Sequence, residues 1–277
     1  MYTLKSIWHF FNILSLDVVI GAMAGMLFFA DVLDVDLTIE TYLLLALAVW
    51  SVYTLDHLVD AKKMIGNASS KRHQFHQQNF RILSGALVFC VILDFVILFS
   101  TRSLNFIIIP GFVLGMVMLI WMGQIHFFGR NVSWLKEIST AIFYVLGISL
   151  APFFKLFPDE IPFPFYLLLL GYFTLALINL LILSFLDEKG DKKDGFGSIL
   201  QHVQKSQLKK YIQILGLTSA LITLMLILFL PSYFKIHASI LFLLILFHIL
   251  EFQKKDRCLT RQKLEFSFLF PFVLLLF

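Results

Sequence analysis

The chain has 277 residues, of which 59% are hydrophobic and only 14% charged, with 32 phenylalanines and a mean hydropathy of +0.87. That balance excludes a soluble domain and describes a polytopic membrane protein. The net charge of +4 does not imply a nucleic-acid partner, because the basic residues fall in short stretches between apolar runs. Two cysteines far apart, Cys90 and Cys258, support neither a disulfide framework nor a thiolate metal site.

Nine apolar segments follow in order, at roughly 10–30, 38–57, 80–99, 104–123, 135–155, 163–186, 209–230, 234–251 and 264–277. Helices are expected for all of them, since a lipid-exposed strand or loop leaves backbone groups unsatisfied. The first segment leads into the acidic stretch Asp31 to Glu40 with no small-residue cleavage pattern, so it is expected to be retained. The last is short for a span, and its start is expected nearer Arg261. Pro152 and the prolines from Pro158 to Pro164 are expected to end the fifth segment and stiffen an outer loop.

The basic residues orient the chain. All of the 22 Lys and Arg except Arg102, Lys155 and Lys235 lie on the side of the N-terminus, which predicts that this side is cytoplasmic. No soluble domain interrupts residues 1–277, so one transmembrane domain is expected: an all-α bundle of nine helices.

Charged residues cluster at the ends of two apolar runs. Asp187 and Asp191 close the sixth segment, and Asp56 and Asp60 close the second. Residues at i and i+4 share a helix face, so each pair presents two converging carboxylates, a donor set that suits Mg2+. Four segments separate the pairs, which places both on the same face. Basic loops flank them: Lys62, Lys63, Lys71, Arg72, His73 and His76 on one side, Lys189, Lys192 and Lys193 on the other. Carboxylates for a metal beside cations for phosphate oxygens are what a metal-bridged diphosphate needs. A solvated helix end is the competing explanation of each pair taken alone.

The run Asp187, Gly190, Asp191, Lys192, Gly195, Ser198 resembles the second Asp-rich motif of the UbiA superfamily of intramembrane prenyltransferases, D-x-x-G-D-K-x-x-G-x-x-S/T. Asp56 and Asp60 fall on the last two acids of that family's first motif, N-D-x-x-D-x-x-x-D, while Val52 and Tyr53 replace its Asn and Asp. Trp134-Leu-Lys136-Glu137 is similar to the family's lysine-bearing start of the fifth helix. The resemblance implies nine transmembrane helices around a central cavity open to the cytoplasm, in a membrane expected to be a bacterial cell membrane. It implies that Asp56, Asp60, Asp187 and Asp191 hold Mg2+ and are catalytic, and that Lys63, Arg72, Lys136 and Lys192 bind diphosphate. A polyprenyl diphosphate then ionises, and an unidentified acceptor within the bilayer takes the prenyl group. A catalytically silent relative that binds a lipid diphosphate is the alternative, and a small transporter is a third.

Accessory positions are Asp17, Tyr53, His57, His73, Asn179 and Asp194. Asp17 lies inside an apolar run, so it is expected to face the bundle interior, as a structural hydrogen bond or as compensation for the lost first-motif acid. Asn179 stands two turns before Asp187 and suits either that site or a helix-helix hydrogen bond. His73 and His76 are three apart, but no further His or Cys is placed by the sequence to complete a zinc set.

Overall fold

The computed structural model describes residues 11–63, 71–128, 135–194, 198–254 and 256–276. Within these ranges the side chains of Lys63, Lys71, His126, Phe127, Phe128, Asp191, Asp194 and Cys258 are not described. Ten α-helices make up nearly everything: α1 (Leu16–Val32), α2 (Ile39–Lys63), α3 (Lys71–Gln78), α4 (Phe80–Ser100), α5 (Asn105–Phe128), α6 (Leu135–Leu156), α7 (Phe163–Asp194), α8 (Lys205–Phe229), α9 (Ser232–Phe252) and α10 (Arg257–Ser267). No strand occurs among the described residues. Short 3-10 turns sit at Arg102–Leu104, Ile199–Gln201 and Phe270–Leu276.

Seven of these helices, α2 and α4 to α9, are long and apolar enough to cross a membrane. The first apolar run yields a helix of only 17 residues. The last divides into α10, with 11 residues and a strongly polar composition, and a 3-10 turn of seven. Its charged residues explain the split: Arg257, Arg261, Lys263 and Glu265 give α10 a polar face that hydrocarbon would not accept. Pro152 does not end its helix, since α6 continues to Leu156. Near a helix C-terminus one lost backbone hydrogen bond is tolerable.

The short first helix is the packing axis. It touches α2, α6, α9, α10 and the final 3-10 turn. Ala22, Ala24, Phe28 and Phe29 are completely buried there. Phe28 and Phe29 meet Tyr172 of α7 at ring centroid distances of 5.4 Å each, an offset geometry that aromatic quadrupoles favour. Helices α4 and α5 behave oppositely. Ile82, Phe89, Phe99, Ile109 and Phe112 are all more than 60% exposed, as on a surface solvated by lipid. The apolar content thus divides between a packed interior and a lipid-facing belt.

Small residues make the close approach possible. A Cβ added at Gly25 meets Ile148 Cδ1 at 2.7 Å and Tyr172 Oη at 2.9 Å, whereas one added at Gly115 of α5 meets nothing within 4 Å. Gly25→Ala should therefore cost about 1–3 kcal/mol through overpacking. Gly115→Ala should be neutral or slightly stabilising, since alanine is the better helix former. Thermal unfolding of the detergent-solubilised variants reads the contrast. Equal melting temperatures for the two would remove α1 from its place at the centre of the packing.

Candidate functional site

The ends of α1, α2, α3, α7 and α10 meet at one end of the bundle, and a continuous ionic network joins them. Its centre is Glu265 of α10, whose side chain is 6% exposed. Glu265 Oε1 accepts a hydrogen bond from Arg261 Nε at 3.1 Å and lies 3.6 Å from Arg72 Nη2. Glu265 Oε2 accepts one from Asn12 Nδ2 at 2.6 Å. Asn12 Nδ2 also donates to Asp17 Oδ2 at 2.6 Å, and Asn12 Oδ1 accepts from Arg72 Nη2 at 3.0 Å. One side-chain amide thus uses both faces, donating to two carboxylates and accepting from a guanidinium. The backbone makes this possible. Ser15 adopts a left-handed conformation (φ 56°), breaking the chain between Asn12 and α1 so that the amide turns back over Asp17.

Arg261 carries the network to the second motif, since its Nη1 donates to Asp187 Oδ2 at 2.6 Å. Tyr53, on the first motif, is within electrostatic reach of Asp17, Asp56, Arg72 and Glu265. So the two Asp-bearing helix ends share one assembly, as their spacing led us to expect. The expected inward orientation of Asp17 also holds: it is wholly buried, and its Oδ1 has no hydrogen-bond partner.

Other expected residues are placed more variously. Asp60 is buried and Asp56 half-buried at the end of α2. Lys192 is 68% exposed and pairs with Glu188 at 3.1 Å, which Lys205 also contacts closely. Lys136 lies within electrostatic reach of His57. Asn179 is half-buried on α7, and its Oδ1 lacks a hydrogen-bond partner, so the expected helix-helix bond through that oxygen does not form. The carboxylates of Asp191 and Asp194 and the ammonium of Lys63 belong to side chains outside the described residues. Among the described residues no group of three or more His, Cys, Asp or Glu is arranged to hold a metal ion.

Several residues of the site escaped the sequence. Glu137 of α6 is buried, and its Oε1 accepts from Ser184 Oγ at 2.6 Å and from the Ile199 backbone N–H at 3.2 Å. It pins the chain just beyond Ser198, the final residue of the second motif. Asn12, Arg261 and Glu265 were missed as well, although a glutamate inside an apolar run was a usable signal. The histidines need a correction: His57 supplies the third imidazole that the sequence does not place beside His73 and His76. Its ring centroid is 4.8 Å from that of His76 and 5.6 Å from that of His73.

The charges in α3 and α10 follow from these contacts. Burial alone would raise the Glu265 carboxyl, but Arg261 and Arg72 outweigh it and hold it below the usual glutamate range. Burial would also discharge Arg261, and Glu265 and Asp187 more than reverse that. His76 is pushed down by burial, partly offset by the bond of its Nδ1 to the Arg72 carbonyl at 2.8 Å.

Replacing Glu265 should therefore be severe. Glu265→Ala leaves two arginines without their shared carboxylate and should cost about 3–5 kcal/mol. Glu188→Ala, which breaks more exposed pairs, should cost about 0–1 kcal/mol. The sign with pH follows from the lowered carboxyl. Its stabilisation is complete above 4.5, the ordinary value, and disappears as pH falls through the lower folded value. Melting temperatures measured down an acid series should fall in the native protein, with that component absent from Glu265→Gln; parallel curves would show Glu265 to be uncoupled. No protein-family model, curated protein or solved structure matches this chain.

Proposed function

We propose that this protein transfers a prenyl group from a polyprenyl diphosphate to an acceptor within the membrane. The observation that supports it is the joining of both Asp-bearing helix ends through Tyr53, Glu265, Arg261 and Asp187. In this reading the nine apolar segments all lie in or on the membrane, around a cavity open to the cytoplasm. The positive residues at that end then put the N-terminus in the cytoplasm as well.

Carboxylate oxygens of Asp56, Asp60, Asp187 and Asp191 are the hard donors that Mg2+ takes, and these residues would hold it. Bound there, Mg2+ supplies neutralisation of the charge that develops on the leaving diphosphate. The chain's own residues do the rest. Arg72 and Lys136 offer cations to the phosphate oxygens, and Glu265 keeps Arg72 in place. Arg261 neutralises Asp187 in the resting protein and is 31% exposed, so it can swing away as a ligand arrives. Apolar side chains of α1, α6 and α7 keep water from an allylic cation.

A second reading has its own support. The guanidinium of Arg261 occupies Asp187, and Val52 and Tyr53 stand where two polar ligands are expected. Both favour a catalytically silent protein that binds a lipid diphosphate.

Diphosphate release from farnesyl diphosphate, followed in the purified full chain with Mg2+, separates the two. Transfer chemistry should give release that chelation abolishes and that Asp187→Asn or Asp191→Asn lowers by orders of magnitude, about 100-fold or more. Binding without release would leave the silent protein. Release indifferent to chelation and to both substitutions would refute the transferase.

A further inference from the structure

The three imidazoles at the start of α3 and the end of α2 are not used by the ionic network, and they are poorly satisfied. His57 is 8% exposed, yet neither of its ring nitrogens has a hydrogen-bond partner. A neutral imidazole carries one donor and one acceptor, and burying both unpaired is costly. Such a residue implies a ligand that completes it. The charged neighbours that weigh most on His57 are Arg72, His76 and His73 from α3 and Lys136 from α6. On its own helix stand Asp56 and the buried Asp60, and α1 brings Asp17 to the side of Tyr53. From α4 only Arg81, which is exposed, is titratable in the first two turns.

The nearest charges decide the sign of the ligand. Cations around His57 repel a metal ion, and no metal-binding group of three is formed among the described residues. They attract an anion. We infer that His57, surrounded by Arg72, His73 and Lys136, binds the phosphate oxygens of a diphosphate or phosphate-ester headgroup. The inference rests on the reading of this end of the bundle as a phosphate-handling site. It adds a histidine that does the recognising. An arriving anion favours the imidazolium, so His57 takes a proton from solvent and donates N–H to a phosphate oxygen. Binding must then strengthen towards acid pH. Arg72 belongs to both assemblies, so occupation of the histidine site is also transmitted to Glu265.

The test is calorimetric titration of the detergent-solubilised full chain with inorganic pyrophosphate, at about pH 5.5 and about pH 8, either side of the ordinary histidine value. Short-chain phosphatidic acid, with phosphatidylcholine as control, forms a second arm. Wild-type protein should bind the phosphate probe more tightly at the lower pH. His57→Gln should weaken binding by about tenfold or more and flatten the pH dependence. Binding of pyrophosphate itself identifies a free diphosphate group as the ligand, and binding of phosphatidic acid alone identifies a lipid headgroup. His57→Phe keeps the ring volume, so a melting temperature matched to wild type rules out misfolding as the cause. Undiminished binding in both variants overturns the inference, as does the absence of binding to either probe. Histidine-dependent binding of Zn2+ in place of phosphate overturns it too. Failure of the transferase reading looks different: His57-dependent binding persists, but no preparation releases diphosphate from farnesyl diphosphate.

Discussion

A single buried carboxylate, Glu265, holds this end of the molecule together. Two arginines from different helices and an asparagine from the segment before α1 converge on it. Charges so placed are costly to desolvate, and they persist only because each has a partner of opposite sign and good geometry. The arrangement closes a long loop in the chain, since Asn12 and Glu265 are 253 residues apart. Without it, the polar helix α10 would have no reason to lie against α1, and Arg261 would not reach Asp187.

The packing below that layer serves the same end. Helix α1 is short, and rich in small and aromatic residues, because it is surrounded by protein rather than by lipid. Its close contacts with α6 and α7 fix the height at which Asp17 sits relative to Asp187. The lipid-facing helices α4 and α5 carry no such demand, and their large apolar side chains point outwards. Precision is therefore concentrated where the charges are, and the periphery needs only hydrophobicity.

Much of this was legible in the sequence, and the parts that were not share a cause. Long apolar runs give helices directly, because hydrocarbon leaves the backbone no other way to satisfy itself. The i, i+4 aspartates were readable from local periodicity, as was the costly Asp17. Glu265, Arg261 and Asn12 were not, because their meaning lies in partners at the far end of the chain. His57 is similar: its neighbours in sequence are Asp56 and Leu58, while its neighbours in space are His73, His76 and Lys136. The final apolar run was misleading for a different reason, since its composition reads as a span while its charged first half folds as a separate amphipathic helix.

If the ends of α2 and α7 form one site, they must open to one side of the membrane. Cysteines placed at the exposed Lys62 and Lys193 test this in intact cells and in inverted vesicles, with a thiol reagent that cannot cross the bilayer. Both positions should react only from the cytoplasmic side. Labelling from opposite sides would contradict the shared site, whatever the chemistry of its ligand.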